Sequence, residues 1–435
     1  MINLMQSAKK LVRKIIPGFL VRMLEELFRI SRGLFWQVRF GFPARGMKVI
    51  AVTGTNGKST TCAYINEVLK SAGYKTAMMT TPMMEIDGWQ TPRKTTRTLE
   101  KQSEVQEFFS KAKKAGADWA VLEVPSHALD QDRIMGVKIE IAVVTNLSPE
   151  HLDYHRTMEE YARAKALLLK KYGAKYAVLN YDDEWYKYFR VQSLAQTVSV
   201  GKGRESDYRL SQIKLSSTGA SAQLQAKDLK MELKTSLIGE FNLYNAAQAA
   251  AAGNILSIAP KTIEKGVARL KSVSGRMEQV NPPAGGKQKF KIFVDYAVTP
   301  DAIENALKTL KNITKGKVRI VFGATGERDR QKRPFMGEAA AKNADYIYLT
   351  DDETYSEDPK SIRDAVYQGI KRAKGAKKTK VFDDRKEAIK QAFTDSKPGD
   401  SVLLSGLGHQ NKRNMGGKLI PWQEQDVAKK ILKNY

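Results

Sequence analysis

A chain of 435 residues with 42% hydrophobic and 28% charged residues is too long for one ordinary core and too mixed to be disordered, so two or three globular domains are expected. Its single cysteine, Cys62, excludes an intrachain disulfide and a cysteine-rich zinc site, and it fits the reducing cytoplasm. The formal net charge of +26 favours polyanionic partners: nucleotides, phosphorylated substrates, nucleic acid or an acidic membrane surface.

Residues 1–46 read as a short basic amphipathic helical segment. The first 48 residues carry ten Lys and Arg against Glu25 and Glu26, with apolar residues from Leu11 to Trp36 interleaved. No uncharged stretch reaches the ~20 residues that span a bilayer, and no small-residue cleavage site follows an apolar run. Neither a spanning helix nor a secretory signal is therefore expected. Two readings stay open: helices packed on the first domain, or an amphipathic helix on an anionic membrane, peripheral at its inner face.

Residues 47–273 read as a central ATP-binding domain with a P-loop ATPase-type parallel sheet. The run 48–53 (KVIAVT) ends at a glycine, as a buried strand does, and a helix follows over 58–72. Further buried strands are expected at 75–79, 118–124, 140–146 and 175–180, with helices between them, an α/β pattern. Thr157 and Glu160 have capping-box spacing for a helix to about Lys171. Short bursts of alternation over 208–238 suit antiparallel strands. Residues 274–435 read as a Rossmann-like domain. Its strands are expected at 290–295, 317–322, 345–350, 379–382 and 400–404, and its helices near 300–311, 334–343, 359–373, 385–395 and 425–434.

Thr53-Gly54-Thr55-Asn56-Gly57-Lys58-Ser59-Thr60 falls between the first strand and its helix. A loop there aims successive backbone N–H groups and a helix N-terminus at one point, which suits phosphate. Lys58 would reach the β- and γ-phosphates, and Ser59 could ligate Mg²⁺. Val52 stands where the usual phosphate loop has a glycine. Glu123 ends a buried strand, where an acid is costly unless it meets a cation.

The loop TGTNGKST resembles that of the Mur ligases and their relatives, the folylpolyglutamate synthetases. Four further stretches agree: 122–127 (LEVPSH), 145–153 (TNLSPEHLD), 239–245 (GEFNLYN) and 275–278 (GRME). Within the family the match is nearest the MurE branch, through Asp295-Tyr296-Ala297, 326–329 (GERD) with 332–334 (KRP), and Gly408-His409 before Gly416-Gly417. The likeness runs in order from about residue 47 to the C-terminus.

The resemblance implies an ATP-dependent ligase that activates a carboxylate as an acyl phosphate and joins it to an amino acid. Lys58, Arg276 and Mg²⁺ would gather the two anions. Ser59 and Glu123 would hold a first Mg²⁺, and His151 with Lys165 a second. The family's counterpart of Lys165 is carbamylated by CO₂. His127 and His155 have weaker claims to the metal. Asn242 and Asn245 would bond the nucleotide or hold the loop, and Arg276 and Asp295 would be the C-terminal domain's share of the ATP site. Thr95, Thr96, Gln131 and Arg133 fall where the family contacts the nucleotide-sugar peptide acceptor. Arg328 is expected to bind an amino-acid carboxylate, and Gly406 and Gln410 are expected in the amino-acid pocket.

The pattern also breaks. Relatives carry an N-terminal domain that holds uridine diphosphate, and the 46 residues ahead of the loop domain are too few for one. The basic segment, a partner, or a different, lipid-linked acceptor would account for that. Pro125 replaces a serine that many relatives place in the acceptor site. Diaminopimelate-adding enzymes carry Asp-Asn-Pro-Arg where this chain has Asp352-Glu353-Thr354-Tyr355, so a basic amino acid, L-lysine or L-ornithine, is expected instead. Val298 and Leu407 replace a histidine and a lysine. Competing readings are a folylpolyglutamate-type or MurT-like ligase, a nucleic-acid-binding ATPase, and a scaffold with a dead site. The basic residues are dispersed and no nucleic-acid module is found, so nucleic acid is not expected as a partner.

Overall fold

The computed structural model describes residues 18–93, 98–227, 229–282 and 288–433. Lys48–Thr53 lies at the middle of an eleven-stranded sheet. It pairs in parallel with Trp119–Glu123 on one side and Ile141–Val144 on the other, with Val52 opposite Glu123 and Thr53 opposite Val144. Both faces are covered, so the strand reads as an apolar run without alternation. Val49 and Ala51 face one core with Phe108, Phe109 and Leu168, while Ile50 and Val52 face the other with Tyr64, Leu69 and Leu243.

Beyond Trp119–Glu123 come Thr76–Met79 and the antiparallel strands Met83–Ile86 and Trp89–Pro92. On the other side Tyr176–Asn180, Gln196–Gly201 and Tyr208–Ser216 continue in parallel, and Gly219–Ala226 and Leu229–Thr235 close the edge antiparallel. The chain leaves Lys48–Thr53 toward one side and later returns past it to the other. The strand's carboxyl end is therefore a topological switch point, where α/β sheets place ligands.

The second sheet has six strands, in the order Glu278–Gln279, Lys291–Asp295, Ser401–Ser405, Val318–Phe322, Tyr346–Leu349 and Thr379–Val381. All but the first pairing are parallel. Pro300–Ile313, Lys332–Asn343 and Pro359–Arg372 cover one face, and Arg385–Thr394 with Glu424–Leu432 the other. Thr299, Asp358 and Asp384 cap three of these helices through their side chains.

The expected strands and helices are found within a few residues of their places. The box at Thr157 is half made: its side chain accepts from the Glu160 N–H at 3.2 Å, while its own N–H donates to His155 O at 2.8 Å. Two helices that periodicity did not mark, Glu240–Ile255 and Pro260–Arg269, pack on Lys58–Ser71. The N-terminal segment contains the helix Gly18–Arg39, which lies against Gln102–Lys114. Among the described residues no helix is long and apolar enough to cross a membrane. Cys62 is fully buried on Lys58–Ser71, and burial pushes its thiol well up.

Candidate active site

The loop after Lys48–Thr53 is built by close backbone approach. Gly54 (φ +142°) sits where a Cβ would lie 1.9 Å from Thr145 Oγ1, and Gly57 (φ +83°) where one would lie 2.4 Å from Asn245 Oδ1. No other residue type fits either position. Thr55 N–H donates to Asn146 O and Asn56 N–H to Asn146 Oδ1, both at 2.9 Å. The first i→i−4 bond of the following helix runs from Thr61 N–H to Gly57 O at 2.9 Å. The amides of Lys58, Ser59 and Thr60 precede it and sit at the positive end of the helix. Lys58 Nζ donates to Thr55 O at 2.7 Å, so its ammonium folds back over the loop. Thr53 and Thr60 are buried beneath.

Glu123 stands beside this loop. Its Oε2 accepts from Ser59 Oγ at 2.6 Å and from Thr81 N–H at 2.9 Å, and its Oε1 accepts from Thr81 Oγ1 at 2.9 Å. Burial opposes its charge, but Lys58, Ser59 and Arg276 outweigh it and hold the carboxyl below its ordinary value. Arg276 comes from the other lobe: its Nη2 donates to Ser59 Oγ at 3.4 Å, its guanidinium lies 5.1 Å over the Tyr296 ring, and its buried Nε has no hydrogen-bond partner among the described residues. A second contact joins the lobes, Asn56 Nδ2 to Asp301 Oδ2 at 2.8 Å.

Lys165 is buried on Met158–Lys170, and its Nζ donates to Gly54 O at 2.7 Å. Burial and the nearby Lys58 push its pKa well down, so the amine is driven toward its neutral, nucleophilic form. Glu150 is held low, at about 2; burial opposes this, and His151, Lys332, Lys58 and Lys165 outweigh it. His151 adopts φ +57° ahead of Leu152–His155, with Nε2 3.7 Å from Glu150 Oε2. Its ring lies 4.7 Å from His127, which lies 5.4 Å from His155. Burial lowers His127 to about 3 and His155 to about 4.

Asn242 and Asn245 face the loop's own support rather than open space. Asn242 donates to Ile238 O and accepts from Asn245 Nδ2 at 3.1 Å, and Asn245 Oδ1 accepts from Thr61 Oγ1 at 3.2 Å. Asp295 accepts from Met277 N–H at 2.6 Å and is raised to about 6 by burial. It positions the chain next to Arg276. Gln131 Oε1 accepts from Arg133 Nη2 at 2.7 Å, and Gln131 Nε2 donates to the Tyr154 hydroxyl at 3.0 Å. Thr95 and Thr96 lie outside the described residues.

A separate cluster of polar side chains lies at the carboxyl end of the second sheet. Glu353 accepts from Asn414 N–H at 3.0 Å and from Gln410 Nε2 at 3.2 Å. Gly406 packs on Asp352, where a Cβ would lie 2.6 Å from Oδ2. Burial raises Asp352 to about 6 against the pull of Arg385. Arg328 is nearby, 5.8 Å over the Tyr355 ring.

Sequence reasoning missed Thr81, Glu150, Asp301 and His409. Glu150 carried a signal, a carboxylate between a proline and a histidine in the stretch 145–153, and His409 stood in the Gly408-His409 motif without being given a role. His409 faces Arg276 and Glu123, is lowered to about 3 by burial, and leaves its Nδ1 unpaired among the described residues.

Residues 52–253 match the model of the Mur ligase middle domain, and residues 275–408 that of the Mur ligase glutamate ligase domain. The chain is 37% identical over 398 residues to the UDP-N-acetylmuramoyl-L-alanyl-D-glutamate–2,6-diaminopimelate ligase of Halalkalibacterium halodurans, covering 91% of this chain and 80% of that protein. This chain belongs to the Mur ligase family. A solved ligase of the same description superposes with TM-score 0.61 at 32% identity, covering 90% of this Mur ligase and 79% of that chain. Folylpolyglutamate synthase of Mycobacterium tuberculosis, solved with ADP and AMPPCP, shares the fold at TM-score 0.70 and 18% identity, covering 89% and 95%. As a Mur ligase the chain is an ATP-dependent amide-bond ligase of peptidoglycan synthesis, working with ATP and Mg²⁺. The donors present suit Mg²⁺: Ser59 Oγ and the Glu123 carboxylate are hard oxygens. No group of three His, Cys, Asp or Glu able to hold a metal exists among the described residues.

Proposed function

We propose that this Mur ligase joins the carboxylate of a UDP-MurNAc-dipeptide-like acceptor to the amine of a basic amino acid, L-lysine or L-ornithine. The γ-phosphoryl group of ATP passes to the carboxylate oxygen, giving an acyl phosphate and ADP. The amine then attacks the acyl carbon, loses a proton and displaces phosphate. The loop amides 58–60 and Lys58 hold the nucleotide phosphates, and Arg276 draws the carboxylate against them. Ser59 and Glu123 hold one Mg²⁺. Lys165, driven toward its neutral form by burial, would add CO₂ through its nitrogen and lose a proton, and with His151 it would then hold a second. The proposed working units are residues 47–273 and 274–435, closing on each other through Arg276 and the Asn56–Asp301 contact. The proposed place of action is the cytoplasm, at or near the inner face of the membrane.

One observation carries the choice of amino acid. Asp352 Oδ1, Gln410 Oε1 and Asn414 Oδ1 are buried acceptor oxygens without a hydrogen-bond partner among the described residues. The complement of three unmet acceptors beside two carboxylates is a multiple donor with positive charge, a side-chain ammonium. Tyr355 brings no second cation for a distal carboxylate, and Arg328 remains for the α-carboxylate. A second reading, diaminopimelate, is favoured by the description of the relatives that match along most of the chain. ADP release across a matrix of acceptors and amino acids, with product masses, tests both. Diaminopimelate as best substrate overturns the basic amino acid. ATP turnover that answers only to DNA or RNA overturns the ligase reading.

A further inference from the structure

The helix Gly18–Arg39 is docked with its apolar side outward. Leu24, Leu27, Phe28, Leu34, Phe35 and Val38 are each half or more exposed. At about 100° per residue they form one stripe roughly 120° wide. The opposite edge is the one held by the protein. A Cβ on Gly33 would lie 2.9 Å from Gln102 Nε2, and Gln37 is buried, its Oε1 only 2.0 Å from where Gly136 would carry a Cβ. Arg29 Nη1 donates to Asp130 O and Arg32 Nε to Gln102 Oε1, both at 3.0 Å. An amphipathic helix of a globular domain turns its apolar stripe to the core, so this orientation is inverted.

We infer that this stripe lies on an anionic lipid bilayer. Charge selects the occupant. Arg32 and Arg39 run along one edge of the stripe, and Lys9, Lys10, Arg13 and Lys14 precede the helix in sequence. A second copy of a chain of net charge +26 would bring like charges together at this face, whereas acidic headgroups meet the arginines as the apolar residues enter the acyl boundary.

The docked edge leads to the acceptor side of the ligase. Arg29 binds the Asp130 carbonyl, the Asp130 carboxylate accepts from the Tyr154 hydroxyl at 2.6 Å, and that hydroxyl meets Gln131, which carries Arg133. A bilayer-bound helix therefore holds the 130–133 loop near the headgroups, where a lipid-linked or membrane-proximal acceptor is met. The membrane contact stands independently of the ligase reading, while its use for the acceptor rests on that reading.

The test is flotation of the full chain with phosphatidylcholine vesicles, with and without phosphatidylglycerol. The wild type is expected to float with the anionic vesicles and to be released by high salt. The triple substitution Leu27→Glu, Phe28→Glu, Phe35→Glu is expected to lower binding by about tenfold or more and to leave ADP release with a soluble acceptor unchanged. The corresponding triple alanine variant is the substitute if the glutamates prevent folding. Wild-type protein that stays at the bottom of the gradient, or a variant that floats as well as the wild type, overturns the inference. So does light scattering showing a dimer that the variant dissociates when no flotation occurs. Flotation without ligation breaks only the ligase reading.

Discussion

Two buried carboxylates, one in each lobe, meet opposite fates. Glu123 and Asp352 are both nearly inaccessible, and both lie at or just past the carboxyl end of a parallel strand. Glu123 accepts three hydrogen bonds and faces Lys58 and Arg276, which hold it ionised. Among the described residues Asp352 receives only a long contact from Thr325 at 3.5 Å; burial raises it, and Glu353 and Glu424 offset its arginines, so it rises to about 6. The first site balances its buried carboxylate with the chain's own cations and hydrogen-bond donors. At the second, Arg385 and Arg413 are set against Glu353 and Glu424, and burial prevails. Electrostatics thus separates a buried carboxylate held ionised from one held toward its neutral form.

The largest test of that contrast is Glu123→Gln. It keeps the shape and removes the charge, and ADP release is expected to fall about 10³-fold, read as kcat with a soluble acceptor. Retained activity would erase the distinction at its stronger end. Next comes Lys165→Ala, expected to lose about 100-fold, with partial recovery on adding short carboxylates. A carbamate resonance from ¹³C-bicarbonate in the wild type but not in the variant checks the chemistry.

Asp352→Asn sharpens the other end. The amino-acid KM is expected to rise about tenfold or more, with kcat changed less. In the wild type the same KM should climb as pH falls through about 6, because protonation removes the attraction. Stability runs the other way. A carboxyl raised on folding binds its proton more tightly in the native state, so its ionisation costs stability above about 6 and the cost vanishes below the unfolded value. At neutral pH the free variant should be more stable than the wild type by about 1–3 kcal/mol, seen in thermal melts without amino acid. The smallest effect belongs to Asn56→Ala. It cuts the contact with Asp301 and should raise the KM for ATP about threefold, with little change in the amino-acid KM.

Much of this was legible in the sequence. The loop 53–60 announces itself because glycines, lysine and hydroxyls are contiguous and sit between an apolar strand and a helix. Lys165 and His151 were reachable only through resemblance, since nothing local tells a buried lysine from a surface one. Thr81 and Asp301 were silent. Each meets its partner across a long sequence separation, Thr81 at 42 residues from Glu123 and Asp301 at 245 from Asn56. Glu240–Ile255 escaped because a helix buried on nearly all sides has no polar face to set a period, and its alanines are covered throughout. The unmet acceptors come from residues 352, 410 and 414, brought together only when the hairpin Lys412–Pro421 folds back on the strand end.

Cys62 has a practical meaning. The chain's lone thiol is sealed inside the helix that follows the loop, and burial holds it in its unreactive protonated form. Any cysteine introduced at the surface would be the only one open to a maleimide. Paired labels on the two lobes can therefore report their separation by fluorescence transfer as nucleotide is added, with the native residue left in place.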